Sequence, residues 1–240
     1  MPRPNRLALF DLDHTLLPLD SDYQWAHYLA RTGRAGDPEA ALRRNDELME
    51  SYSAGTLTAQ QAAEFMLGLL ARHDPVELAA WHELYMAEVI RPVITPQAAA
   101  LVREHLAAGD LCAIVTATNG FVTAPIARAF GIPHLLATDA EYVDGRYTGR
   151  IAGTPCFREG KVIRVEQWLA GLGHTLADFE RSFFYSDSLN DVPLLECVTD
   201  AVAANPSEGL RRLAGERGWR VIDLFAEPVA AGQAHPEQAA

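Results

Sequence analysis

The chain has 240 residues, of which 49% are apolar, and 20 Lys and Arg stand against 32 Asp and Glu for a formal charge of −12. That length and apolar share support a sizeable core and exclude disorder over most of the chain. The acidity argues against nucleic acid or an anionic membrane as partner, because both are held by Lys and Arg.

In chain order, residues 6–13 read as a short apolar run ended by Asp11 and Asp13, which predicts a buried parallel strand with acids at its C-terminal end. Its four apolar residues, 7–10, are too few for the core of an export signal. From Ser21 to Arg91 helix punctuation replaces strand-like runs. Ser21 with Gln24 and Thr58 with Gln61 have capping-box spacing, and Asp37-Pro38 and Asp74-Pro75 place a cap residue before a first-turn proline. Four helices are predicted there, and the aromatic residues on them are read as core packing. His27, His73 and His82 lack the spacing of a metal site, so they are read as solvated or satisfied side chains.

Strand and helix then alternate. Strands are predicted at 111–115, 134–137, 182–185, 201–203 and 219–222, a hairpin turns at Asp144-Gly145, and helices cover 121–130 and 161–172 with another opening at Asn205-Pro206. The uncharged stretch 111–127 carries Thr, Asn, Gly and Pro, which suits strand-turn-helix better than a membrane span. Cys112, Cys156 and Cys197 are odd in number and lack CxxC spacing, which points to packing thiols and a cytoplasmic protein. The fold class expected is α/β, a doubly wound parallel sheet with an inserted helical bundle. Its catalytic core would span 1–18 and 93–225, the bundle 19–92, and a disordered tail rich in Ala, Pro, Gln and Gly 226–240.

Four polar features punctuate the strands: Asp11-Leu12-Asp13-His14-Thr15, Thr116-Ala117-Thr118-Asn119, Lys161, and Ser186-Asp187-Ser188-Leu189-Asn190-Asp191. Each alone is weak, but this topology gathers all four along one sheet edge, where open α/β sheets bind ligands. Clustered carboxylates repel one another unless a cation sits among them, and an all-oxygen site suits Mg²⁺. Thr116, Lys161 and the backbone around Ala117 add donors for an anion near a helix start.

Together these strings resemble the four motifs of the haloacid dehalogenase superfamily of phosphohydrolases, and most closely its phosphoserine-phosphatase-like subfamily IB with a C1 helical cap. The resemblance spans 7–222. It implies that Asp11 is a nucleophile forming an aspartyl phosphate and that Asp13 is the general acid and base. It further implies that Thr116, Ala117, Lys161 and Asn190 hold the phosphate, and that Asp11, Asp13, Asp187 and Asp191 hold Mg²⁺, with Asp191 either a ligand or behind one. Two departures stand out. Ala117-Thr118-Asn119-Gly120-Phe121 replaces the family's Gly-Gly-Phe, and Asp20 replaces the Glu that meets the substrate ammonium. Asp20 is therefore a candidate substrate contact, although helix capping is an equal reading. His14 is read as structural, and Thr15 as orienting Asp11. The expected partner is a small amine- or amino-acid-like phosphate ester, with phosphoserine or histidinol phosphate the leading candidates, for a monomer or homodimer with no nucleic-acid or membrane partner. A phospho-signalling receiver and a catalytically silent phosphate binder are the alternatives; Asp13 and the bundle are surplus to a receiver.

Overall fold

The computed structural model describes residues 5–53, 56 and 58–225. The tail expected at 226–240 lies outside the described residues, as do residues 1–4 of the expected core. Strand β1 (Arg6–Phe10) is followed by α1 (Ser21–Arg31), α2 (Pro38–Ser53), α3 (Ala59–Leu70) and α4 (Pro75–Tyr85). A π-helical turn, Met86–Ile90, and a 3-10 turn, Arg91–Val93, lead to α5 (Pro96–Ala107). The chain continues through β2 (Leu111–Asn119), α6 (Gly120–Phe130), β3 (His134–Val143), β4 (Arg146–Ala152) and α7 (Glu159–Gly171). It closes with β5 (Arg181–Ser186), α8 (Val192–Leu195), β6 (Asp200–Ala204), α9 (Glu208–Arg217) and β7 (Arg220–Ile222).

The strands form one sheet in the order β4-β3-β2-β1-β5-β6-β7. Every pairing is parallel except the β3–β4 hairpin. Strand β1 thus lies at the centre, and the chain leaves it on one side for β2 and on the other for β5, which opens a crevice at its C-terminal end. The α/β class with a doubly wound sheet is what the alternation of elements predicts.

Side-chain alternation sorts the core into two layers. Ala8, Phe10, Ile114 and Tyr185 face a cluster that also holds Trp25, Tyr28, Leu67, Leu78 and Tyr85, so α1, α3 and α4 share their core with the sheet. Leu7, Leu9, Val115 and Phe184 face the other layer with Val165, Leu169, Leu194 and Leu210 from α7, α8 and α9. Each such apolar side chain contributes roughly 1.5–3 kcal/mol relative to an exposed one. The aromatic residues of the helices pack as expected, with Trp25 edge-on to Tyr85 at 5.3 Å and tilted against Phe121 at 5.6 Å. His82 is buried, its Nε2 2.9 Å from the Val122 carbonyl oxygen.

Several local expectations change. The capping residue of α1 is Asp20, one position before Ser21, and its carboxylate accepts the Tyr23 N–H at 2.7 Å. Two adjacent residues could each cap, and the carboxylate wins because it also meets the positive end of the helix. The Thr58–Gln61 capping box forms as read. Strand β2 runs four residues beyond 115, with a register shift after Val115 that lets the polar end bulge. The strand at 134–137 and the first arm of the hairpin are one element, β3, because no turn residue separates them. Helix α9 starts at Glu208 behind a Ser207 cap, and Asn205 itself sits at φ 47°.

Asn205 ties the sheet edge to the loop after β1. Its Nδ2 donates to the His14 and Thr15 carbonyl oxygens at 3.1 and 2.9 Å, and its Oδ1 accepts the Leu224 N–H. Asparagine tolerates positive φ better than most residues. Asn205→Ala therefore loses three hydrogen bonds and adds backbone strain. Urea unfolding followed by circular dichroism should show a stability loss of roughly 1–3 kcal/mol.

Candidate active site

The loop after β1 is built around one carbonyl. The Asp11 N–H continues the parallel ladder to the Tyr185 carbonyl at 2.9 Å, and the Leu12 carbonyl then accepts the N–H groups of Thr15, Leu16 and Leu17. His14 takes the tight turn at φ 57° and its side chain is exposed. Leu12, Leu16 and Leu17 are fully buried and anchor the turn in the core.

Of the residues expected at the site, Asp11, Thr116, Lys161 and Asp191 are all buried. Lys161, in the first turn of α7, sits 2.8 Å from Asp11 Oδ1 and 2.7 Å from Asp191 Oδ2. Burial disfavours its charge, yet Asp11 and Asp191 outweigh that and hold the ammonium well above its ordinary pKa. Asp191 Oδ2 also accepts the Ser186 hydroxyl at 2.7 Å. Thr15 Oγ lies 3.0 Å from Asp11 Oδ2 and 3.1 Å from Asp187 Oδ1, and it accepts the Asp187 N–H. A hydroxyl has a single proton, so it serves one of these carboxylates at a time.

Asp187 is left with the weaker support. Burial first, and then the charge of Asp11, raise its pKa to about 8. Lys161 thus pairs with two carboxylates, Asp11 and Asp191, while the third, Asp187, faces Asp11 with no ammonium of its own. The surplus negative charge and the all-oxygen donors fit a hard divalent cation. Among the described residues no three His, Cys, Asp or Glu side chains are arranged to hold a metal by themselves.

Asp13 has a different environment. It accepts the Ser21 N–H at 2.9 Å and the Thr118 hydroxyl at 2.7 Å. Burial and the nearby Asp20 push its carboxyl up to about 6. Thr116 Oγ accepts the Thr118 N–H at 3.2 Å, which shapes the bulge that leaves Ala117 exposed. Asn190 is turned to the rim, where its Oδ1 accepts from Arg158 Nε at 3.1 Å.

Beside Thr118 lies a cavity of about 370 Å³, lined by Asp20, Asp22, Ala117 and Thr118 and walled by side chains of α2, α3 and α7. Gly160 closes its floor, and only glycine fits there, since a Cβ would come within 2.0 Å of the Pro155 carbonyl oxygen. Asp20 therefore both caps α1 and borders the cavity. The structure adds residues to which sequence reading gave no role. Thr118 holds Asp13, Ser186 holds Asp191, and Asn119 donates to Asp22 at 2.7 Å. Thr118, Asn119 and Ser186 stand within the strings singled out, and their place at strand ends is the signal that could have marked them.

The family model described as haloacid dehalogenase-like hydrolase matches residues 8–196. A histidinol-phosphatase of Neisseria meningitidis serogroup C (strain 8013) is 42% identical over 219 residues, covering 91% of this chain and 98% of that protein. A phosphoserine phosphatase of Mycobacterium tuberculosis (strain ATCC 25618 / H37Rv) is 34% identical over 225 residues, covering 90% of this chain and 70% of that protein. The crystal structure of a Bordetella pertussis Tohama I protein of unknown function superposes with a TM-score of 0.91 at 75% identity, over 93% of this chain and all of that one. A substrate-bound phosphoserine phosphatase shares the fold, with a TM-score of 0.63 at 18% identity over 88% of this chain and 91% of that one.

Burial, then Asp20 and Asp13, raise the Asp22 carboxyl well above its ordinary range. The unfolded chain gives up this proton near pH 4, whereas the folded chain holds it, so the stability contributed by the protonated form is full below that pH and falls as the pH rises. Asp22→Asn keeps an acceptor for Asn119 and removes this penalty. Calorimetric melting in the presence of EDTA should show a higher Tm than the parent at pH 8 and little difference at pH 4.

Proposed function

We propose that the chain, which belongs to the haloacid dehalogenase-like hydrolases and is a phosphatase, hydrolyses the phosphate monoester of a small amine- or amino-acid-like metabolite through an aspartyl phosphate on Asp11. One observation carries this reading. Two carboxylates two residues apart have opposite surroundings: Asp11 is paired with the Lys161 ammonium, while Asp13 is buried beside Asp20 and raised to about 6. Environments that separate two acids in this way divide them into nucleophile and proton donor.

Asp11 Oδ attacks phosphorus as the P–O bond to the alcohol breaks, and Asp13 gives its proton to the departing alkoxide. Asp13 then takes a proton from the water that attacks the acyl phosphate, and Asp11 is restored with release of inorganic phosphate. Lys161, Thr116 and the backbone at Ala117 hold the transferring oxygens, and Asn190 reaches them from the rim. Asp11 and Asp187, with the backbone carbonyl of Asp13 and with Asp191 as ligand or support, would hold Mg²⁺. When bound, the ion would supply positive charge against the phosphoryl oxygens.

Helices α1 to α4, the segment expected to form the bundle 19–92, act as the cap that shields the site from water. Asp20 meets the substrate amine. Phosphoserine and histidinol phosphate are the leading substrates, a view supported by relatives named for each. The protein works in the cytoplasm as a monomer or homodimer. Its unpaired Cys112, Cys156 and Cys197 suit a reducing compartment. Among the described residues no helix is long and apolar enough to cross a membrane.

The test is phosphate release from a metabolite panel with and without Mg²⁺. Parent protein should turn over at least one amine-bearing ester only with the metal, and Asp11→Asn should lower kcat by roughly 10³-fold or more. Equal release by parent and Asp11→Asn would overturn the assignment.

A further inference from the structure

The cavity beside Thr118 has a lopsided chemistry. Its only charged lining residues among the described residues are Asp20 and Asp22; Gln60 and three threonines add neutral polar groups, and the rest is largely apolar, with Leu48, Met49, Met66, Ile151, Phe157 and Ile163 in the wall. No Lys or Arg lines it among the described residues. The sequence between Met49 and Gln60 contains none either. At about 370 Å³ the cavity falls at the small end of the usual size for a metabolite pocket.

Both acids are fixed by neutral donors. Asp20 Oδ1 accepts the Tyr23 N–H at 2.7 Å, and Asp22 Oδ1 accepts from Asn119 Nδ2 at 2.7 Å. Asn119 is itself held, since its Oδ1 caps α6 by accepting the Val122 N–H at 3.1 Å. Arg158, which lies 5.1 Å over the ring of the lining residue Phe157, is exposed and is engaged with Asn190. Burial and the charges of Asp20 and Asp13 raise Asp22, and no protein cation is among the groups acting on it, whereas His14 offsets part of the charge on Asp20.

We infer that this cavity selects a phosphorylated amino alcohol that carries no carboxylate, its ammonium meeting Asp20 and Asp22 and an apolar or neutral ring substituent filling the rest, with Asp22 and Asn119 as the pair that sets this specificity. The inference rests on the phosphatase reading of the same site and narrows its substrate class. An ammonium gains from two carboxylates in a partly dry setting. A substrate carboxylate on the same carbon would be desolvated against apolar walls and repelled by both acids. A substituent no larger than a carboxylate would also leave most of the cavity unfilled.

Four monoesters separate these contributions. Ethyl phosphate has neither group, phosphoethanolamine adds the amine, phosphoserine adds amine and carboxylate, and histidinol phosphate carries a ring in the carboxylate's place. With Mg²⁺ present, kcat/KM should rise at least about tenfold from ethyl phosphate to phosphoethanolamine and rise again for histidinol phosphate. Phosphoserine should fall at least about tenfold below phosphoethanolamine. Asp22→Asn should shrink the ratio of phosphoethanolamine to ethyl phosphate about fivefold or more, chiefly through KM. Calorimetry with the alcohol products reads the cavity without turnover, and histidinol should bind more tightly than serine. Phosphoserine matching or exceeding phosphoethanolamine, or an amine ratio unmoved by Asp22→Asn, would overturn the inference while leaving the phosphatase reading intact. Were none of the four esters hydrolysed, the catalytic reading would fail, and the order of histidinol and serine in calorimetry would still decide the cavity's preference.

Discussion

Lys161 holds the site together. Its ammonium is buried between Asp11 and Asp191, at 2.8 and 2.7 Å, and so joins the end of β1, the first turn of α7 and the turn after β5. A buried charge is costly to desolvate, and a buried pair becomes strongly destabilising once one partner is removed. Here the cost is offset by two carboxylates and by the Ser186 hydroxyl behind Asp191. The arrangement has a consequence for chemistry as well as for folding. Lys161 offsets part of the crowded negative charge and leaves Asp187 facing Asp11 across one shared hydroxyl. That remainder is what a divalent cation would neutralise.

The strand ends that carry Asp11, Asp13, Asp187 and Asp191 were readable from sequence because a buried parallel strand is a continuous apolar run, and polar residues mark where it leaves the core. Helix starts were readable where one residue alone could cap, as at Thr58, and misplaced where two competed, as at Asp20 and Ser21. The length of β2 was hidden because Thr116 to Asn119 look like a turn by composition, and only the partner strand reveals a bulge. Pairings such as Asn119 with Asp22, 97 residues apart, or Asn205 with the loop after β1, are not written in any local pattern. They follow from topology, which brings the N-terminus of α1, the N-terminus of α6 and the end of β6 to the same edge.

Around this edge the protein accepts strain and electrostatic cost in return for reactivity. Asp13, Asp20 and Asp22 are all raised by burial before any other cause. His14 and Asn205 hold left-handed backbone without being glycine. Such features persist only where surrounding structure over-determines them, and here the two-layer core supplies that support. The acids fall into two groups. One gathers around Lys161, and the other lies beside Asn119 and Thr118 at the cavity, the division on which the proposed roles toward phosphate and organic group rest. Asp13 lies between them, held by Thr118 and influenced by Asp20.

The central claim is that Asp11 carries the phosphoryl group during turnover. Protein with Mg²⁺ and saturating p-nitrophenyl phosphate can be quenched in acid, reduced with borohydride and digested for mass spectrometry, because borohydride converts an acyl phosphate at aspartate to homoserine. Homoserine at position 11, dependent on both Mg²⁺ and ester, is the predicted result. Steady phosphate release with aspartate unchanged at position 11, or with another residue reduced instead, would contradict the account.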